Sequence, residues 1–135
     1  MIQQRSASVS LVMIVRDEAH QLGDCLRPVA KLFDEIVVVD TGSRDGTREV
    51  ARQFTPKTID FAWRDDFSAA RNESLRHATG DWVFWLDADD RLTPENVEGL
   101  GKLFNLLNGR PMAFLMDTVC RASFAGDLEQ RLSHP

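Results

Sequence analysis

Two aspartates, Asp87 and Asp89, follow directly after the apolar run 82–86. Side chains at this spacing point to the same side of an extended backbone. Carboxylate oxygens are hard ligands that suit Mg²⁺ or Mn²⁺, above all when a phosphate completes the coordination. The pair therefore indicates a divalent-metal site. Short acidic motifs are also common in solvated loops, and on spacing alone that alternative stays open.

Two more apolar runs end in charged residues. Residues 8–15 lead into the charged stretch 16–18, and a second run ends at Asp40. In a parallel sheet these ends share one edge, where open α/β sheets bind their ligands. Carboxylates gathered at one edge repel one another unless cations compensate. A divalent metal together with Arg16 and Arg71 would compensate, which favours a phosphorylated ligand that bridges metal and arginine.

The elements that must position these residues follow from hydrophobic periodicity. Apolar runs predict five strands, at 8–15, 35–40, 57–61, 82–86 and 112–119. Apolar residues at three- and four-residue spacing predict helices over 20–33, 47–54 and 67–78, and a fourth that begins at Thr93-Pro94. Pro28 lies inside the first of these, and a proline usually kinks or shortens a helix. We expect the run 82–86 to be buried on both faces. The alternation predicts an α/β fold, with a mostly parallel sheet and helices on both faces.

The composition is that of one globular domain. A chain of 135 residues with 43% apolar and 27% charged residues can bury a core of its own. We expect residues 1–8 to be disordered and residues 9–135 to form a single domain. The net charge of -5 argues against a surface that binds nucleic acid or an anionic membrane.

Several features bear on the cellular location. No apolar run is long enough to span a bilayer, and residues 1–8 lack the apolar core of a signal peptide. Cys25 and Cys120 belong to no C-x-x-C pattern, so we expect both to be reduced, with a single disulfide as the alternative. Together these features predict a cytoplasmic protein without a transmembrane segment.

Four blocks of the sequence resemble the family 2 glycosyltransferases. They are VMIVRDE at 12–18, IVVVDTGSRDGT at 36–47, DFSAARN at 66–72 and WLDADD at 85–90. Their order and rough spacing match the family over residues 8–94. The resemblance implies a Rossmann-like sandwich of the nucleotide-diphospho-sugar transferase type. It also implies an enzyme that uses Mn²⁺ or Mg²⁺ to transfer the sugar of a nucleotide-diphosphate sugar, expected to be a UDP-sugar, to an acceptor hydroxyl.

The resemblance assigns nucleotide contacts to several positions. Val15, Arg16 and Glu18 would line the nucleotide pocket. Asp40 would hydrogen-bond the base, usually uracil, and its alternative role is to cap the turn at 41–43.

The other two blocks would hold the phosphates and the metal. Arg71 would reach the nucleotide or its diphosphate, and its alternative role is a surface salt bridge with Asp65 or Glu73. The resemblance makes Asp89 the direct metal ligand, while Asp87 would contact the ribose and help to hold the metal. We expect Asp90 to support this pair or to cap the next helix.

The chain departs from the family in two respects. Asp17 stands where many relatives carry asparagine. Family members are also longer, and their second half supplies the acceptor site and, in inverting enzymes, the general base. The late acids Asp117, Asp127 and Glu129 lie in no block of the family, so the base stays unassigned. We therefore expect a truncated donor-binding part whose exposed sheet edge favours self-association.

Two other functions compete with this interpretation. A non-catalytic nucleotide-binding module that regulates or pairs with another chain would need no base. A phosphoacceptor receiver domain also gathers acids at strand ends, but it needs a lysine after a late strand. Lys31, Lys57 and Lys102 are all elsewhere.

Overall fold

The computed structural model describes residues 7–107, 118–121 and 129–132. Its main sheet has four parallel strands: β1 (Val9–Val15), β2 (Glu35–Asp40), β3 (Thr58–Asp60) and β4 (Trp82–Trp85). Their order across the sheet is β3-β2-β1-β4. The two central strands are rich in valine and isoleucine and almost wholly buried. The predicted α/β fold with a parallel sheet is therefore confirmed.

Helices cover both faces of this sheet, as predicted. The helices are α1 (Leu22–Leu26), α2 (Thr47–Arg52), α3 (Phe67–His77) and α4 (Pro94–Leu106). Alternate residues of β1 point to opposite faces. Leu11 and Met13 pack in the larger core with side chains of α1, α2 and α4, and Val12 packs in a smaller cluster on the other face. Helix α3 contacts β1 and β2.

The first predicted helix is interrupted near Pro28, as the sequence indicated. Helix α1 ends at Leu26, and a separate 3-10 turn follows at Ala30–Leu32. Pro28 lies between them, and a proline has no N–H to continue the helical hydrogen bonds. The apolar spacing still serves the core, since Leu26 and Val29 are fully buried.

One prediction about the later strands is wrong, and a second falls mostly outside the described residues. Strand β4 lies at the edge of the described sheet, so its four residues are only partly buried instead of buried on both faces. The predicted fifth strand at 112–119 is described only at its end. Its described end belongs to β5 (Thr118–Arg121), which pairs antiparallel with β6 (Glu129–Leu132) in a separate sheet. A short apolar run predicts a strand but not its partner.

The helices that flank the candidate site begin where the sequence predicts. The Asp66 carboxylate accepts a hydrogen bond from Ala69 N (3.2 Å) at the start of α3. At the start of α4 the Thr93 hydroxyl accepts a hydrogen bond from Asn96 N (3.1 Å), and Pro94 lies in the first turn. These caps satisfy free backbone N–H groups. Within the described ranges, no helix combines the length and the apolarity needed to cross a membrane.

Candidate functional site

The carboxyl ends of the parallel strands meet at one edge of the sheet. Val15 pairs with Asp40, and Asp40 pairs with Asp60, so β1, β2 and β3 end level with one another. The loop after β4 leaves from the same end, because β4 is parallel to β1. The acids that the sequence placed at strand ends are therefore brought to one edge, as expected.

Three carboxylates crowd together in the loop after β4. Asp87, Asp89 and Asp90, here called the acidic cluster, each offer an oxygen within 4.8 Å of the others. A tight turn holds them: Asp90 N donates to Asp87 O (2.9 Å), and Asp87 N donates to the Asp90 carboxylate (2.9 Å). Asp87 and Asp89 are exposed, while Asp90 is half-buried. Asp90 thus braces the turn, and the other two carboxylates face solvent.

The environment of Asp87 disfavours its negative charge. Burial, and then the charges of Asp90 and Asp89, raise the pKa of Asp87 above its ordinary value of 3.8. The Arg71 charge opposes this rise, and the Glu18 charge adds to it. A bound cation would relieve the repulsion, and oxygen ligands suit a hard divalent ion. These residues therefore fit a divalent metal.

Arg71 lies in the second turn of α3, over the aromatic face of β4. Its guanidinium carbon is 4.3 Å from the ring centroid of Trp85 and 5.1 Å from that of Phe67. The acids named in its alternative role have other partners. Glu73 pairs with Arg76 and His77, and Asp65 accepts a hydrogen bond from Trp63 Nε1 (3.0 Å). Arg71 is exposed, and its positive charge acts to lower the pKa of Asp87.

Asp40 is buried at the end of β2, with 1% of its surface exposed. Its Oδ1 accepts hydrogen bonds from Gly42 N (2.9 Å) and Ser43 N (2.8 Å), so it caps the turn as the alternative role proposed. Gly42 has a φ of 116°, which suits glycine. Asp40 Oδ2 is buried and has no hydrogen-bond partner among the described residues. One oxygen therefore caps the turn, and the other is covered and unpaired among the described residues.

The segment after β1 is bonded to the segment after β2. Asp17 has a φ of 52°, a left-handed conformation that asparagine and aspartate tolerate. Its carboxylate accepts a hydrogen bond from Arg44 N (2.7 Å), and its own N–H donates to Ser43 Oγ (2.8 Å). Asp17 therefore links the two segments through its backbone N–H and its carboxylate.

The three predicted pocket residues around Asp17 differ in their surroundings. The Val15 side chain is buried in the core, and its carbonyl accepts from Thr41 N (3.0 Å). Arg16 is exposed. Glu18 N donates to Thr47 Oγ1 (2.8 Å), and its carboxylate accepts from Gln21. Their contacts with a nucleotide stay predictions.

The sequence interpretation missed two side chains at this edge. Arg48, in the first turn of α2, pairs with Asp40 and Asp60. Arg48 directly follows the sequence block 36–47, and this position could have marked it as a residue of the site. Trp85 was assigned only to the strand, although it lies two residues before Asp87 and contacts Arg71.

Curated proteins match the chain over most of its described length. A TPR repeat-containing protein of Synechococcus elongatus is 53% identical over 89 residues, which are 66% of this chain and 22% of the relative. The SPbeta prophage-derived glycosyltransferase SunS of Bacillus subtilis is 32% identical over 102 residues, 74% of this chain and 24% of the relative. The chain thus spans about a quarter of the length of these relatives.

Solved structures share the fold at low sequence identity. TarS of S. aureus (residues 1–349) has a TM-score of 0.59 and 22% identity over 70% of this chain and 31% of its own. Glucosyl-3-phosphoglycerate synthase from Mycobacterium tuberculosis, solved with Mg²⁺ and UDP, has a TM-score of 0.55 and 23% identity over 62% of this chain and 34% of its own. Likeness at this identity extends to the fold alone.

The family model described as "Glycosyl transferase family 2" matches residues 10–108. This range contains the main sheet, all four helices and the acidic cluster. It also contains the four sequence blocks and the buried aspartate at the end of β2. The chain therefore belongs to glycosyl transferase family 2.

Proposed function

We propose that this chain binds a nucleotide-diphosphate sugar together with Mn²⁺ or Mg²⁺, as the donor-binding part of a glycosyltransferase. The observation that carries the proposal is the acidic cluster, with three carboxylate oxygens within 4.8 Å at the ligand-binding edge of the sheet. Membership of the family supports the same reaction class. A UDP-sugar is the donor we expect.

The metal would be held by Asp89 and Asp87. Both residues are exposed, and partial burial of the Asp87 carboxyl, followed by the charges of Asp90 and Asp89, raises its pKa. A bound Mn²⁺ or Mg²⁺ would act as a Lewis acid that neutralises the leaving diphosphate. In the M. tuberculosis neighbour, which was also solved with Mn²⁺ and UDP-glucose, the same combination of metal and nucleotide is present.

The nucleotide would lie across the strand ends between Asp40 and the acidic cluster. Strand β1 separates β2 from β4, and neighbouring strands lie about 4.8 Å apart, so the two positions are roughly 10 Å apart. That separation suits a nucleoside diphosphate with its base near Asp40 and its phosphates near the metal. Arg71 would contact the diphosphate, and Val15, Arg16 and Glu18 would border the pocket between them.

The reaction we propose is transfer of the sugar to an acceptor hydroxyl. The hydroxyl oxygen forms a bond to the anomeric carbon, the bond from that carbon to the diphosphate oxygen breaks, and the nucleoside diphosphate leaves. The hydroxyl proton goes to a general base. That base stays unassigned, since Asp117 and Asp127 lie outside the described residues and Glu129 lies in β6 of the separate two-stranded sheet.

The donor site is tested by calorimetric titration with UDP and with GDP, each with Mn²⁺ and with EDTA. We expect Mn²⁺ to tighten binding of the preferred nucleotide at least about tenfold. Asp89→Ala should abolish that gain, because it removes the direct ligand. Asp24→Ala is the matched control, since Asp24 forms only an exposed pair with Arg27. Nucleotide binding that ignores both the metal and Asp89 would contradict the proposal.

The alternative is a nucleotide-binding module without catalysis. It needs no general base, and none is assigned among the described residues. Incubation of this chain with a UDP-sugar and Mn²⁺ separates the two. Release of UDP that Asp89→Ala abolishes supports an active glycosyltransferase, whereas tight binding without release supports the module.

We propose two further properties, self-association and a cytoplasmic location. The partly exposed apolar residues of β4, at the edge of the described sheet, support self-association. The free, buried Cys25 is consistent with the reducing cytoplasm that the sequence predicts.

A further inference from the structure

We infer that Arg48 is a positioning residue that orients Asp40 for recognition of the nucleobase. The inference rests on the proposed function, because it assigns a role within the same nucleotide site. It starts from the place of Arg48 in the fold. Helix α2 begins at the sheet edge, and Arg48 in its first turn reaches the ends of both β2 and β3.

The Arg48 guanidinium uses all three of its nitrogens. Nε donates to Asp60 Oδ1 (2.6 Å), Nη1 donates to Ser43 O (2.8 Å), and Nη2 lies 3.2 Å from Asp40 Oδ1. A guanidinium is planar with its donors in a fixed fork, so three contacts in different directions determine its orientation. Its position is therefore set by two strands and one turn.

Because of these contacts, the two carboxylate oxygens of Asp40 have different surroundings. Oδ1 receives two backbone N–H groups and the Arg48 ion pair. Oδ2 has under 1 Å² of exposed surface and no partner among the described residues. An unsatisfied buried acceptor is costly, and a donor from a ligand would remove that cost. Because Oδ2 is covered, the donor reaches it only when neighbouring groups shift slightly.

The ligand group that fits is the ring N–H of a nucleobase. Uracil and guanine each carry such a donor, and a carboxylate accepts only. Without Arg48, the buried Asp40 would lose its nearby positive charge and one of the contacts that hold Oδ1 in the turn. The carboxylate could then rotate and present either oxygen to the turn, and the base would lose a fixed acceptor.

The test separates the base from the rest of the ligand. Affinities for UDP and for ribose 5-diphosphate, which lacks the base, are measured by calorimetry with Mn²⁺, and GDP replaces UDP if it binds more tightly. The ratio of the two affinities measures the contribution of the base. We expect a ratio of at least about ten in the wild type, which falls toward one in Arg48→Met. Ribose 5-diphosphate should bind both proteins equally.

Other variants make the result specific to Asp40. Arg48→Lys should recover part of the ratio, since a lysine restores the charge without the fork. Asp40→Asn should lower the ratio as Arg48→Met does, and the double variant should lower it no further. Arg52→Met is the matched control, because Arg52 is an exposed arginine in the last turn of the same helix.

The outcomes distinguish this inference from the proposed function. A wild type that binds neither UDP nor GDP overturns the proposed function and the inference with it. A wild type that binds UDP but keeps its ratio in Arg48→Met overturns the inference alone. If Arg48→Met fails to fold, Asp60→Asn replaces it, because Asp60 is exposed and anchors the other side of the guanidinium. The same fall in ratio is then expected, and an unchanged ratio overturns the inference.

Discussion

Glu35 begins β2 at the opposite end of the sheet from the acidic cluster, and its side chain is mostly buried. The carboxylate accepts hydrogen bonds from Ser10 Oγ (2.8 Å), from Thr79 N (2.8 Å) and Oγ1 (2.9 Å), and from Lys57 Nζ. Burial by itself raises the pKa of Glu35, but these donors outweigh burial and lower the pKa from 4.5 to about 2. The charged form therefore stabilises the fold.

The stability of the protein should depend on pH through this residue. A lowered pKa in the folded state gives stability that is present above pH 4.5 and is lost as the pH falls toward 2. We expect Glu35→Gln to lower the free energy of unfolding by about 1–3 kcal/mol at pH 7, and by less at pH 3. Urea denaturation at both pH values measures this difference.

The control for Glu35 is an exposed glutamate. Glu98→Gln removes a surface pair with Lys102 and should change stability by less than about 0.5 kcal/mol at either pH. If Glu35→Gln lowers the free energy of unfolding equally at pH 7 and at pH 3, the charge of Glu35 is not the cause of the stabilisation.

Strand β4 connects two features of the site. Its alternation places Val83 and Trp85 on the face covered by α3, while Trp82 and Phe84 pack with the larger core. Trp85 lies under Arg71, and the acidic cluster follows two residues later. One short strand therefore positions both the acidic cluster and the ring over which the Arg71 guanidinium lies.

The Trp85 ring should affect nucleotide binding through Arg71. A cation over an indole face is worth about 0.5–1 kcal/mol at an exposed site, because the ring face is electronegative. We expect Trp85→Leu to weaken binding of the nucleoside diphosphate about two- to fivefold. Trp85→Phe should keep most of the affinity. Calorimetry well below the melting temperature measures the effect.

A variant on the other face of the same strand controls for general damage. Trp82→Leu removes an indole from the larger core, so it should lower stability while nucleotide affinity stays near that of the wild type. Equal losses of affinity in Trp82→Leu and Trp85→Leu would count against a specific role of the Trp85 ring.

At the scale of the molecule, the described core has two parts, one on each face of the main sheet, and one part contains many more buried residues than the other. Helices α1, α2 and α4 bury most of the apolar residues on one face, whereas α3 covers a smaller cluster that includes Val12 and Val37. Phe67 and Leu75 of α3 are exposed, and β4 borders the same face at the edge of the described sheet. The partly exposed apolar residues of β4 therefore lie at an edge of the described sheet.

This edge should support self-association at high protein concentration. We expect the mean mass measured by sedimentation velocity to rise with concentration, because partly exposed apolar edge strands pair with other strands. Val83→Lys should suppress the rise by placing a charge on β4. Thr58→Lys on β3, the opposite edge strand, is the control and should not. A wild type that stays monomeric throughout the range would show that the prediction is wrong.

Most of the fold could be predicted because its signals are local. Apolar runs of strand length, helix caps at Asp66 and Thr93, and the alternation of strands and helices each depend on neighbouring residues only. The error concerns the burial of β4, and the partner of β5 was not predicted. Both depend on what lies beside a strand in space, which a local pattern does not contain.

The candidate site was likewise predictable only where its signals are local. The sequence alone determined that carboxylates end the apolar strands and that Arg71 follows a capped helix start, because spacing along an extended or helical backbone sets where side chains point. Only the tertiary structure decided that Arg48 occupies one oxygen of Asp40 and that Trp85 supports Arg71. Those partners come from separate elements, and a contact of 3 to 4 Å depends on how the elements pack.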